Sequence, residues 1–276
     1  MKSKTLELLS EESGDVFSQA AELVKAKKKI YCSPNVITGS CSTQPTCLHC
    51  KWEYLKVHQP DFQRRRSLEE IIERTKVLNE AGIHRIFLPS GWMGYRIPDY
   101  FPKYMATVKE NTEAEIYGLF GTIDLKSLLE LKAAGMDGYL CGLESPSEEI
   151  YRRFRPGGDG WAERIETLRQ VKKLGMKVWS GFIFGLGENQ LDIMNGLKIL
   201  AELEVDSVSI LPFTPYPLTP MVDSDPPNPY QWAKLLAVSR IYLNNPNVFA
   251  DQTEGFFSAY AKLGSANGFY VFPGKV

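Results

Sequence analysis

Three cysteines fall within one short stretch: Cys41, five residues, Cys47, two residues, Cys50. Thiolates bind soft metals, and close spacing lets one loop wrap one centre. Three sulfurs leave a fourth position open. On a four-iron cluster, one iron is then able to bind a substrate or cosubstrate. The other reading is a structural zinc, with His49 or His58 as fourth ligand. Two features favour iron and sulfur. No second CxxC pair follows to complete a zinc ribbon, and the loop follows a strand of a larger fold instead of forming its own module. The chain has five cysteines, an odd number, and in a reducing compartment such a cluster favours metal over disulfide. Cys32 and Cys141 fall inside predicted strands and read as small buried residues. Cys141 is near the end of its strand, where a substrate contact stays open.

The elements that must position this loop can be read from periodicity. Leu6, Leu9, Val16, Ala20, Leu23 and Val24 recur at roughly helical spacing, so residues 1–29 read as a helical extension. Residues 30–37 read as a first strand, ending just before the cysteine loop. Ser67 with Glu70 fits a capping box, and Gly82 fits the stop of a helix over 67–81. From there strands over 85–88, 115–119, 138–143, 177–184, 207–211 and 247–250 alternate with helices over 98–111, 124–134, 161–174, 190–203 and 229–243. A last helix over 255–263 precedes a doubtful eighth strand over 266–272.

Repeated strand–helix units with buried apolar strands mean a parallel sheet with crossover helices. The expected fold class is α/β: a TIM-type (β/α) barrel, complete or nearly complete, over 30–276, with the N-terminal helical extension before it. In such barrels the active site lies at the C-terminal ends of the strands. The cysteine loop, Ser90-Gly91-Trp92, Leu143-Glu144-Ser145, the run Gly185 to Glu188 and Pro212-Phe213-Thr214-Pro215 all follow strands and are expected at one mouth.

Composition sets the outer limits. The 276 residues are 43% hydrophobic, enough for one sizeable core, and 32 basic residues against 33 acidic ones leave a net charge of −1. That balance argues against a nucleic-acid partner. The runs Lys25 to Lys29 and Arg64 to Arg66 read as solvated surface. No stretch of about 18 apolar residues is present, so no membrane span is expected. The polar start lacks the apolar core of a signal peptide, so a cytoplasmic location is expected.

These motifs resemble the radical SAM superfamily, and within it the branch of biotin synthase, methylornithine synthase and the [FeFe]-hydrogenase maturase HydE. The usual loop there is CxxxCxxC. The CxxxxxCxxC spacing here resembles the HmdB/HcgA proteins of [Fe]-hydrogenase cofactor biosynthesis. The resemblance implies that Cys41, Cys47 and Cys50 each ligate one iron of a [4Fe–4S] cluster, with S-adenosyl-L-methionine (SAM) chelating the fourth. His49 takes the position of an aromatic that packs on adenine. The run Gly181 to Glu188 matches GxIxGxxE, which places Ile183, Gly185 and Glu188 at the cosubstrate. Glu144 would accept from the ammonium or ribose, and Arg164 would hold the carboxylate. As plain structural residues, Glu144 would cap a helix and Arg164 would sit on a helix surface. Phe213, in a proline-rich loop, would line the adenosine site. Where relatives carry Gly-Gly-Glu, this chain has Ser90-Gly91-Trp92, so Ser90 and backbone carbonyls would replace the acid. Trp92, Tyr95 and Arg96 become candidates for the substrate pocket.

The implied reaction is reductive SAM cleavage to methionine and a 5′-deoxyadenosyl radical. That radical would abstract hydrogen from a small-molecule precursor, in guanylylpyridinol cofactor assembly by the HmdB/HcgA likeness. The partners would be that substrate and an external one-electron donor of ferredoxin or flavodoxin type. The rivals are another radical reaction of the same branch, a mutase or a HydE-like maturase, and a non-catalytic zinc-stabilised barrel.

Overall fold

Eight strands carry the architecture: Ile30–Pro34 (β1), Arg85–Pro89 (β2), Glu115–Leu119 (β3), Gly138–Leu140 (β4), Lys177–Phe184 (β5), Ser207–Pro212 (β6), Asn247–Ala250 (β7) and Gly268–Tyr270 (β8). The computed structural model describes Leu9 and residues 15–244, 246–250 and 256–273. All neighbouring strands pair in parallel and the sheet closes, β8 against β1 through Ile30↔Gly268 and Cys32↔Tyr270. The eighth strand, doubtful in the sequence, is the one that completes the barrel.

The helices are Val16–Lys25 (α1), Lys51–His58 (α2), Leu68–Glu80 (α3), Phe101–Glu110 (α4), Leu125–Ala133 (α5), Glu148–Phe154 (α6), Trp161–Lys173 (α7), Gln190–Glu202 (α8), Pro229–Tyr242 (α9) and Phe256–Leu263 (α10). The expected capping box is present: Glu70 N–H donates to Ser67 Oγ at 3.2 Å, and Ser67 N–H donates back to the Glu70 carboxylate at 2.7 Å. Gly82 follows with φ +67°, a turn that a Cβ would strain. In the N-terminal segment, Val16 and Ala20 of α1 are buried and α1 packs against α9. Leu6 and Gly255, assigned above to helices, lie outside the described residues.

Two helices, α2 and α6, were not expected. The α2 sequence KWEYLKVH has almost no apolar stripe and no capping side chain, so periodicity is silent there. Two strands end early. β1 stops at Pro34, whose successors turn into the cysteine loop, and β4 stops at Leu140, ahead of Glu144 at φ +63°.

The barrel interior is stacked in layers, as alternation along parallel strands requires. At the N-terminal end, Arg85 Nε donates to Glu115 at 2.7 Å and Nη1 to Ser207 Oγ at 2.7 Å, while Lys177 pairs with Glu115. Two residues further along the strands comes an aromatic layer of Phe87, Tyr117, Trp179 and Phe249, with Tyr270 packed against it. Trp179 and Phe249 lie 4.0 Å apart between centroids. Next along β5 comes Gly181, which has no side chain to fill the space. A cavity of about 440 Å³ opens there.

Candidate active site

Cys41, Cys47 and Cys50 all line that cavity. Their loop is held from two sides. Gly91 N–H donates to Ser40 at 3.0 Å, and Ser42 N–H to Trp92 at 2.7 Å, which zips the loop to the segment after β2. A side chain on Gly91 would collide with Cys41 Cβ, so glycine is required for this approach. On the other side, Leu48 N–H donates to Phe154 at 2.9 Å, and Gly157 packs so tightly on Gln44 that a Cβ there would strike its backbone.

Beside the thiols sits a charged cluster. Asp159 is 1% exposed. It accepts from Arg155 Nη2 at 2.9 Å, Arg164 Nη2 at 2.8 Å, Tyr151 Oη at 3.0 Å and Thr122 N–H at 2.8 Å. Burial opposes its ionisation, but the two guanidinium groups outweigh burial and hold the carboxyl well below the usual range. Arg164 also donates from Nε to Tyr151 at 3.0 Å and from Nη1 to Gly142 O at 2.6 Å and Glu144 Oε1 at 3.0 Å. Burial pushes the Glu144 carboxyl up, but Arg164 and Arg155 more than offset this and leave it below its ordinary value.

The expected residues divide. His49, Ser90, Glu144, Arg164, Ile183 and Phe213 line the same cavity as the cysteines, and Trp92 joins them. Gly185 and Glu188 do not. Glu188 folds back to accept from Gly185 N–H at 2.5 Å and Leu186 N–H at 2.8 Å, which braces the turn after β5 and leaves the carboxylate no reach into the cavity. Arg164 departs from the expected role in part: its fork is engaged with Asp159, Glu144, Tyr151 and Gly142, and so serves the frame of the site. Arg96 is drawn to Glu130 at 2.6 Å and Tyr95 is 48% exposed, so neither lines the pocket. Cys32 and Cys141 are fully buried, with Cys32 Sγ 3.4 Å from Phe269 O and Cys141 Sγ 3.9 Å from Arg164 Nη1.

Arg155, Asp159 and Tyr151 are the residues the sequence did not reveal. Arg155 lines the cavity, and its Nε is buried without a protein partner. His49 shares that condition: its Nδ1 is buried without a protein partner, and burial pushes its pKa down to about 4, so the ring is neutral at pH 7. Its ring stands edge-on to Phe154 at 6.5 Å. The three thiols and the Arg155 guanidinium on one cavity wall fit a cofactor with both a metal centre and an anionic group.

The donor set also speaks on metal type. Among the described residues, no three His, Cys, Asp or Glu side chains converge closely enough to share one ion. Four ligands on a zinc must crowd within bonding distance of a single atom. A four-iron cluster instead gives each cysteine its own iron. Of the two alternative zinc ligands, His49 lines the cavity, whereas His58 lies tilted against Tyr54 at 4.2 Å and does not line it. Burial pushes the Cys50 thiol up to about 12 and raises Cys47, so thiolates here form in the company of a cation. Among the described residues, no helix is long and apolar enough to cross a membrane.

Comparisons with known proteins agree with this geometry. The [FeFe] hydrogenase maturase subunit HydE of Thermotoga maritima is 29% identical over 222 residues, covering 80% of this chain and 62% of the maturase. A biotin synthase of Carboxydothermus hydrogenoformans is 28% identical over 258 residues, 89% of this chain and 78% of the synthase. An uncharacterised protein of Methanocaldococcus jannaschii is 29% identical, and the chain spans 59% of its length. This chain thus spans about three fifths of the length of two of these relatives. In fold, it matches a crystal structure of methylornithine synthase with TM-score 0.84 at 22% identity, over 99% of this chain and 83% of that one. The sequence pattern of the Radical SAM superfamily runs through residues 31–200, from the first strand past the glycine-rich end of the fifth. The chain therefore belongs to the radical SAM superfamily, enzymes that use a [4Fe–4S] cluster and SAM.

Proposed function

We propose that this protein holds a [4Fe–4S] cluster on Cys41, Cys47 and Cys50 and cleaves SAM reductively. When bound, these groups supply methionine and a 5′-deoxyadenosyl radical from one external electron, and the radical takes a hydrogen atom from a substrate carbon. The observation that carries this reading is the shared cavity. The three thiols of one loop, Glu144 and two buried guanidinium groups face the same 440 Å³ space.

The chain's own residues position and shield. Arg155, on the cavity wall, offers its guanidinium to an amino-acid carboxylate at the rim. Asp159 fixes that guanidinium from behind. Glu144, kept ionised by Arg164, is an acceptor for ammonium or ribose hydroxyls. Ser90, which lines the cavity, would take the part of the missing acid together with backbone carbonyls. Neutral His49, with Phe213 and Ile183, offers a mostly apolar surface for a base. Gly181 lets a ligand approach the strand backbone.

A finer reading assigns the reaction to assembly of the guanylylpyridinol cofactor of [Fe]-hydrogenase, with a small-molecule precursor as substrate and a ferredoxin or flavodoxin type donor. It rests on the CxxxxxCxxC spacing, which differs from the usual CxxxCxxC. Deuterium transfer from candidate precursors into 5′-deoxyadenosine tests it.

Oxygen-free purification tests the main proposal. The wild-type protein is expected brown, with a broad visible band, and active in forming 5′-deoxyadenosine from SAM and dithionite. Cys41→Ala, Cys47→Ala and Cys50→Ala are each expected to lose this activity entirely. Full product formation by any one of them removes that residue from the ligand set, and a colourless protein carrying one zinc returns the zinc-stabilised barrel.

A further inference from the structure

The charged residues on the cavity wall are Lys51, Glu144, Arg155 and Arg164. All four come from the rim, either beside the cysteine loop or in the segment from β4 to α7. Deeper in the barrel the wall changes character. It includes Phe87, Leu119, Leu140, Leu211, Ser209 and Tyr270, with Ser180 and Gly181 of β5. None of these is charged.

The charge below begins with Arg85, in one layer with Glu115 and Lys177. Its guanidinium is committed to Glu115 and Ser207, and it lies under the rings of Tyr117 at 5.1 Å, Trp179 at 5.7 Å and Phe249 at 5.4 Å. The aromatic layer therefore separates it from the chamber above. An ion placed in that chamber would give up its hydration without a counter-charge, a loss of several kcal/mol in general. A neutral polar group loses far less, and a single hydrogen bond offsets most of that loss.

One such bond is prepared. Trp179 Nε1 donates to Ser209 Oγ at 2.7 Å, which orients the serine. Tyr270 Oη lies 3.0 Å from the same oxygen. Both hydroxyl residues line the cavity. An indole N–H can only donate, whereas hydroxyls donate and accept. The floor thus presents a hydroxyl pair, anchored from beneath, in an otherwise apolar chamber.

We infer that the part of the substrate that enters the barrel is uncharged: a small apolar body with a hydroxyl or carbonyl group that bonds to the Ser209–Tyr270 pair. This inference rests on the radical SAM reading above. Any charged group of the substrate stays at the rim, beside Lys51 and the buried arginines.

Three probes of nearly equal size separate the possibilities: benzyl alcohol, benzoate and benzylamine. Each is titrated by ligand-observed NMR into the anaerobically reconstituted full chain before SAM is added. Benzyl alcohol is expected to bind roughly ten-fold more tightly than either ion. Ser209→Ala and Tyr270→Phe are each expected to weaken it about five-fold, the worth of one neutral hydrogen bond. The inference is overturned if an ion binds as tightly as the alcohol, if none of the three binds, or if both substitutions leave the alcohol's affinity unchanged. Tyr270→Phe carries the test should Ser209→Ala not fold. Visible absorbance and substrate-free SAM cleavage, recorded on the same samples, report separately on the cluster, so a failed probe ranking and a failed radical SAM assignment give different results.

Discussion

Asp159 is the residue on which the site's charges balance. It faces two guanidinium groups with essentially no solvent to share the load. Removing one partner of a buried ion pair costs about 3–5 kcal/mol, because the other is left uncompensated. Asp159→Asn is therefore expected to lower unfolding free energy by about that amount at pH 7, read from urea denaturation. The pH dependence follows from the sign of the shift. The folded carboxyl sits below its unfolded value, so its contribution is complete above roughly pH 4 and is lost as pH falls from there. Glu144 acts in the same direction. The wild type should lose stability steeply on this acid limb, and Asp159→Asn should flatten it; equal slopes would show that the carboxylate is not ion-paired. Arg155→Gln is expected to weaken SAM binding about ten-fold while iron content stays unchanged, since one charge-assisted donor is lost. Unaltered affinity in equilibrium dialysis would place the carboxylate elsewhere. Arg164→Ala should also weaken SAM binding, but with a fall in melting temperature, because its bonds hold Glu144 and Asp159 in place. These roles were only partly legible. Nothing local in the sequence marks Arg155 and Asp159 as buried. Burial comes from segments distant along the chain: Gly157 packs on Gln44, and Asp159 is met by Thr122 from the loop after β3.

At the scale of elements, legibility followed pattern strength. The strands over 115–119, 177–184 and 247–250 are present at those positions because apolar runs in a buried parallel sheet leave little choice. The last strand, read over 266–272, forms only over Gly268–Tyr270. The helix Lys51–His58 was missed because its side chains have no preferred apolar face. The turn after β5 was recognised as a motif, yet Glu188 proved to brace it from within. The joint between the cysteine loop and the segment after β2 allows a direct check. Gly91→Ala forces Cys41 aside. Cluster loading, measured as iron per chain, is expected to fall at least two-fold even where circular dichroism reports an intact barrel. Full loading would show that the loop can yield.

For the whole molecule, the TIM-type barrel divides labour along its axis. Ions close the N-terminal end, aromatic rings fill the waist, and glycine and leucine leave room at the mouth. Closed barrels are ordinarily filled throughout by side chains, so the cavity at the mouth is a departure from that pattern. Trp179 is fully buried against Phe249 and Tyr117. Trp179→Ala should extend the chamber downward and destabilise the fold by about 3–5 kcal/mol, with calorimetry as the measure.

The aromatic plug also makes the chamber a cul-de-sac. A molecule seated against Ser209 has no exit through the base, and its way out passes the rim where the cysteine loop and the cosubstrate gather. Whatever binds deepest must then arrive first and depart last. Such a queue would show in kinetics as compulsory order, with the barrel's occupant trapped until the cleaved cosubstrate has gone.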